Sequence, residues 1–399
     1  MAELKWRQLL AFWIFGISNN FIFVIMLSGA MDILKKVQLL NTPQDLHKMV
    51  PVNCTPLGTS YILVAKMVPE TLFKVLAPFF IQRISFKQVF FSVGLAFSST
   101  FVVAFARSVS FVIFGVILTS LGVGIGTVTF MSLIAFYGNE NVAFYSSGTG
   151  AAGLVASFYY AGMASKFSPD LTIMITSSVP VLCFLVYMIV LPKSPVGSLP
   201  IYEVEEEQEF LLEEEDSLIE NQVEPKLVLK FQLIKAMAHL MLAAALVFYF
   251  QYLINQALFE YMNFAENYLG LDLPAQYRWY QVLCAAGIFV GRSSVKLVHI
   301  RQTWIFTVLQ SINFFLILLH LLYPFIPFIW VAFVLIFYEG LISGLAFVNT
   351  FHRIAIESPA PFREFTLASA SAADTIGILL SAFSGILVHN ALCTRLHDD

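Results

Sequence analysis

Eleven stretches of this chain are apolar over the length of a membrane-crossing helix, with mostly short polar breaks between them. A crossing helix needs about 20 apolar residues. The runs fall at 9–31, 59–82, 87–106, 110–136, 143–165 and 171–191. After a long polar segment they resume at 236–262, 276–298, 302–322, 325–351 and 365–391. They are continuous rather than alternating, which argues for helices and against a barrel of about ten-residue strands. Composition agrees: 58% of the residues are hydrophobic and 12% are charged, against about 25% charged in soluble domains. So little charge cannot cover a soluble protein of 399 residues. The expected class is an all-α polytopic membrane protein with about 11 transmembrane helices in two lobes, six and five. The first run, Leu9 to Ala30, is too long for a cleaved leader and reads as the first span.

The polar segment divides the chain into 1–191, a linker at 192–235, and 236–399. Residues 203–220 hold ten carboxylates and no base, so this stretch repels itself and stays solvated. The formal net charge is −4, and without those ten acids the rest of the chain stands at about +6. Nucleic acid is not an expected partner. With the N-terminus in the cytosol, twelve Lys and Arg flank the cytosolic ends and six the opposite ends. That excess is the positive-inside pattern. It puts the linker in the cytosol, where Glu207 with Leu211-Leu212 and Glu214 with Leu218-Ile219 match acidic dileucine signals read by sorting adaptors. It also puts the sequon at Asn53 in the first outside loop, open to glycosylation.

The two halves carry similar segments in the same order. Gly122–Gly126 matches Gly340–Gly344, Asn19–Phe23 matches Asn255–Phe259, and Ser147–Gly153 resembles Ser371–Gly377. Parallel repeats joined by a long cytosolic loop describe the major facilitator architecture.

Ionisable groups within spans mark pathways or partners. Lys66, Glu70 and Lys74 recur every four residues and share one helix stripe. They form either an internal salt bridge with Lys66 reaching outward, or a site where Lys74 attracts an anion. Arg278 and Arg292 are fourteen residues apart and share a face, with Arg292 deep in its span. Arg292 follows Gly287-x-x-x-Gly291, a spacing that admits a close neighbouring helix. It either binds a phosphate or carboxylate, or pairs with Asp374 or Glu339. Those two acids read as ion-pair partners, proton carriers or caps. Glu260 reads as interfacial. The amides Asn19, Asn20, Asn255 and Asn349 need partners, by default other helices, otherwise a substrate. The histidines show no pairing. No nucleotide loop, nucleophile elbow or clustered Cys/His spacing is present, so no enzyme, cofactor or metal is expected.

Taken together, several segments resemble the battenin family of lysosomal membrane proteins. They are Ser18–Phe21 with Val24–Ser28, Lys74–Pro78, Ala135–Tyr137 with Ser146–Gly150, Ile254–Gln256 with Leu258–Glu260, Gln276–Gln281, Arg292–Ser294, Tyr338–Gly340, Val348–His352, Arg363–Phe365 and Asp374–Gly377. The resemblance implies a multi-pass protein of lysosomes and late endosomes, and clearance of glycerophosphodiesters. It also implies links to lysosomal pH and to basic amino acids such as arginine. Lys74, Glu260, Arg292, Glu339, Asn349 and Asp374 fall on family motifs. Lys66 and Gln251 stand where relatives have an acid, and the C-terminal lipidation box of some relatives is missing. The expected partner is a small anionic or zwitterionic solute or a basic amino acid, within the lipid bilayer. Lys74, Arg292, Asn20, Asn255 and Asn349 are the binding candidates. Glu70, Glu260, Glu339 and Asp374 are the proton or ion-pair candidates. The alternative function is a non-transporting scaffold for endolysosomal trafficking or acidification.

Overall fold

The computed structural model describes residues 2–41, 58–80, 86–137, 140–191, 226–264, 269–294, 300–358 and 363–398. Asn53 and the linker residues Glu207, Leu211, Leu212, Glu214, Leu218 and Ile219 lie outside them. Among the described residues the only regular elements are helices, joined by short turns, with no strand. An isolated helix in hydrocarbon satisfies its own backbone, which is why long apolar runs have this outcome.

The first half comprises α1 (Ala2–Ser28), the short α2 (Ala30–Asn41), α3 (Thr59–Phe80), α4 (Phe86–Ala104), α5 (Val109–Tyr137) and α6 (Glu140–Ala164). Its last crossing is α7 (Pro169–Ile175) followed by α8 (Ser178–Leu185) and a π turn, Val186–Val190. The second half comprises α9 (Lys226–Leu253) with a π turn at Ile254–Leu258, then α10 (Leu273–Ser293), α11 (Trp304–Leu322), α12 (Ile329–Glu357) and α13 (Arg363–Asp398). These are the eleven expected crossings, with one correction: helix begins at Lys226, so the last ten residues of the 192–235 segment belong to α9. Eight crossings are long and apolar enough by composition alone. The other three are α3, α6 and α10, which are polar because they carry the charges and small residues of the interface described below.

The halves pack alike. In the first, α1 lies on α6 and α3 on α5; in the second, α9 lies on α13 and α10 on α12. Small residues set two of these seams. A methyl on Gly148 would strike the Trp13 carbonyl and sit 3.2 Å from Gly16 Cα. A methyl on Gly344 would sit 3.0 Å from Gly291 Cα and from the Arg292 amide nitrogen. The backbones touch there, as small residues at both faces allow. The halves meet along α3 with α13 and along α6 with α10. Where the chain starts is called the proximal end; α1 finishes and α3 begins at the distal end.

Candidate functional site

Glu70 stands on α3 one residue after Pro69, whose missing N–H leaves a helix carbonyl free. Its carboxylate takes both flanking lysines, Lys66 Nζ at 2.6 Å and Lys74 Nζ at 2.5 Å. The i,i+4 spacing alone puts all three on one face. Lys66 does not reach outward. It is 6% exposed, and its ammonium lies 3.7 Å from the Phe23 ring centroid. The Lys74 side chain is 28% exposed against 8% for Lys66, so Lys74 is the one a solute can meet.

Arg292 occupies the last turn of α10. The helix closes at Ser293, sooner than its apolar run, so Arg292 is at a helix end rather than deep in a span. Its side chain turns inward nevertheless. The guanidinium stacks 4.3 Å from the Phe347 ring centroid of α12, and its Cδ lies 3.6 Å from where a methyl on Gly150 of α6 would be. It therefore reaches the first half, as Arg278 does on the same face. Among the described residues no carboxylate lies within 4.0 Å of it, and its buried Nε has no hydrogen-bond partner. Asp374 of α13 is its electrostatic neighbour. Asp374 is 7% exposed, and among the described residues its buried Oδ1 is likewise without a partner. The phenol of Tyr252 on α9 lies within electrostatic reach of Arg292, Glu70 and Glu339. Tyr252 was missed in the sequence because nothing in its local pattern separates it from a core aromatic.

Glu339 is fully buried, and among the described residues its partners are neutral. Gln310 Nε2 donates at 2.9 Å, Asn255 Nδ2 at 3.3 Å and the Cys284 thiol at 3.0 Å. Neither arginine pairs with it. The four residues come from α9, α10, α11 and α12, so no stretch of sequence reveals the cluster.

The amides divide. Asn19 joins helices: its Nδ2 donates to Thr127 Oγ1 at 2.9 Å and to the Val123 carbonyl at 3.3 Å. Among the described residues Asn20 bonds only within its own helix, to the Gly16 carbonyl at 3.4 Å. Asn349 has both ends engaged, accepting from Ile300 N at 2.8 Å and donating to the Leu345 carbonyl at 2.9 Å. It pins the start of α11 to α12. Asn255 faces Glu339. The structure thus places Lys74, Glu70, Arg292 and Asp374 on the helices of the seam and sets Asn349 apart from it.

Glu260 is not a loosely interfacial group. It is 5% exposed and sits at the distal end, where it accepts from Thr59 N of the first half at 2.9 Å and lies 2.5 Å from His389 Nδ1. His389 is therefore paired, contrary to the sequence expectation. A second distal contact had no sequence signal. Asp32 of α2 takes Arg278 Nη1 on both oxygens at 3.0 and 2.9 Å, and Tyr160 OH at 3.2 Å. Among the described residues no group of three His, Cys, Asp or Glu could hold a metal.

Side chains of both halves thus bridge the distal end, through Glu260 with Thr59 and Arg278 with Asp32. Comparison with known proteins identifies the lineage. A sequence profile of the family described as CLN3 protein matches residues 10–395. The chain belongs to the CLN3 protein family. It is 35% identical to dog (Canis lupus familiaris) battenin, over 97% of this chain and 92% of that protein. It is 31% identical to the protein BTN1 of Eremothecium gossypii, over 96% of this chain and 95% of that one. Solved structures share the fold at low identity. A D-xylose-proton symporter superposes with a TM-score of 0.62 at 14% identity, covering 96% of this chain and 89% of that one. An inward-facing bacterial homologue of the human lysosomal transporter Spinster gives 0.61 at 14%, covering 94% and 80%. This CLN3-family chain is a multi-pass helical membrane protein whose fold is like that of those solved transporters.

Proposed function

We propose that this protein is a transporter of lysosomal and late-endosomal membranes that works by alternating access and clears glycerophosphodiesters. Its N-terminus is cytosolic, so the distal end faces the lumen and the Asn53 sequon lies there. The observation that carries the reading is Arg292: a guanidinium at the seam between the halves, stacked on Phe347, with a buried donor unpartnered and no carboxylate within 4.0 Å among the described residues. A planar guanidinium matches a phosphodiester through two parallel hydrogen bonds. Lys74, the more open partner of Glu70, adds a second cation. Apart from the Arg278–Asp32 and Glu260–His389 contacts at the distal end, the seam holds among the described residues three cations (Lys66, Lys74, Arg292) and two carboxylates (Glu70, Asp374). That balance favours an anionic or zwitterionic solute over arginine. Asn20 supplies an amide to headgroup hydroxyls, while Asn255 and Asn349 reach solute only by exchanging their present partners. Glu339, held by neutral donors, carries a coupled proton, and Asp374 balances Arg292. The acidic dileucine pairs in the linker address the protein through cytosolic sorting adaptors.

The test is reconstitution into liposomes with a labelled glycerophosphodiester and with labelled arginine, with and without a pH gradient. Glycerophosphodiester uptake should saturate and collapse in Arg292→Ala. Uptake unchanged in that variant, or arginine taken up in preference, sinks the reading.

A further inference from the structure

At the distal end the halves are joined by a helix cap that neither half makes alone. Thr59 is the first residue of α3, and the first N–H groups of a helix have no partner inside it. Its N–H donates to Glu260 Oε2 of the other half at 2.9 Å. A carboxylate there also meets the positive end of the helix dipole. The preceding π turn prepares the contact. The Phe259 N–H bonds the Ile254 carbonyl and α9 then stops, which frees the Gln256 carbonyl. That carbonyl accepts from Thr59 Oγ1 at 2.5 Å and Ser60 Oγ at 3.0 Å. On the second half, His389 Nδ1 of α13 holds the other Glu260 oxygen, and Tyr261 OH lies 2.7 Å from the same nitrogen. Cys393 of α13 touches Tyr261 OH at 3.0 Å, and Tyr277 of α10 donates to Gln256 Oε1 at 3.4 Å. Among the described residues the start of α3 presents no charged group, only Gly58, Thr59 and Ser60. A side chain at Gly58 would run into His389 and Glu260, its Cβ only 2.9 Å from Glu260 Oε1. Carboxylate and helix end are thus fitted closely, with Glu260 and His389 at 5% and 2% exposure.

We propose that Glu260 is a latch: its bond to the Thr59 N–H holds the distal ends of the two halves together, and it breaks whenever that end opens. Everything on the Glu260 side belongs to the second half, through His389, so the carboxylate stays with α9 and α13 when α3 leaves. The inference rests on the alternating-access reading for why the end opens. The latch itself is a property of the resting protein and is measured without substrate.

Spin labels carried on encoded amino acids at Lys166 of the first half and Leu269 of the second, both exposed at the distal end, report the gap by pulsed electron resonance on the full-length protein in nanodiscs. Glu260→Ala should raise the long-distance population at least about fivefold, as loss of a buried charge-assisted hydrogen bond implies. Glu260→Gln should give a smaller shift in the same direction. Thr59→Pro removes the donor at the first helical position, where proline is tolerated, together with the Oγ1 bond to the Gln256 carbonyl, and should open the distal end at least as far as Glu260→Ala. Thr59→Ser should match the wild type. If Glu260→Ala fails to fold, Thr59→Pro and Glu260→Gln decide. Wild-type distances in folded Glu260→Ala or Thr59→Pro protein overturn the latch. Shifted distances in a protein that transports nothing keep the latch and retire the transport reading.

Discussion

Arg278 Nη1 holds both oxygens of Asp32, at 2.9 and 3.0 Å, across 246 residues of sequence and across the boundary between the halves. The two side chains are 12% and 10% exposed. Tyr160 adds a third bond to the same carboxylate. This is a cross-half tie, not a surface pair.

Breaking it should therefore cost more than a surface ion pair does. Arg278→Ala leaves a buried carboxylate uncompensated, which costs about 3 kcal/mol. Thermal unfolding in detergent should show a lower transition for Arg278→Ala and for Asp32→Ala. The double variant should lose clearly less than the sum of the two. Strict additivity would mean that the residues do not act as a pair.

Arg292→Lys keeps the charge and loses the planar fork and the stack on Phe347. KM for a glycerophosphodiester should rise about tenfold in liposome uptake, with maximal rate little changed, because lysine holds a phosphate as a point charge only. An unaltered KM would show that charge alone suffices there.

Glu339→Gln preserves the shape of the cluster with Gln310, Asn255 and Cys284 while removing the exchangeable proton. Uptake driven by a pH gradient should fall at least about a hundredfold, the scale of losing a positioned acid–base group. Exchange of labelled for unlabelled solute at equal pH should persist. Equal loss of both activities would make Glu339 structural rather than proton-carrying.

Gly340 has no room for a side chain, since a methyl there would meet the Cys284 carbonyl of α10. Gly340→Ala should destabilise by about 1–3 kcal/mol, the usual cost of overpacking. Denaturation in detergent checks this. The same change at Gly94 in α4, where nothing lies within 4 Å, meets no clash and should stabilise by up to about 1 kcal/mol through alanine's better helix propensity.

Deleting residues 203–220, or changing Leu211, Leu212, Leu218 and Ile219 to alanine, should send the protein to the cell surface and leave transport in liposomes intact. Transport lost in liposomes on deletion would tie the linker to the transport cycle itself. Rescue of cells by a linker-deleted protein with a foreign lysosomal signal would separate the address from the activity.

Membrane residence, eleven crossings and the division into six and five were fixed by local chemistry. A bilayer requires every backbone group to be bonded within the segment, so the length and apolarity of each run decide its fate one run at a time. The i,i+4 stripe of Lys66, Glu70 and Lys74 was legible for the same reason, because helix geometry fixes its neighbours. Gly287 and Gly291 announced a close helix without naming it, and only packing supplied Gly340 and Gly344. Which charge meets which was decided by tertiary structure. Asp32 finds Arg278, Glu260 finds Thr59 and His389, Glu339 finds three neutral donors, and Arg292 finds no carboxylate within 4.0 Å among the described residues. Coulomb and hydrogen-bond partners are chosen by distances of a few ångströms between helices. Those distances follow from how the two halves close on each other, which the spacing along any one helix does not contain.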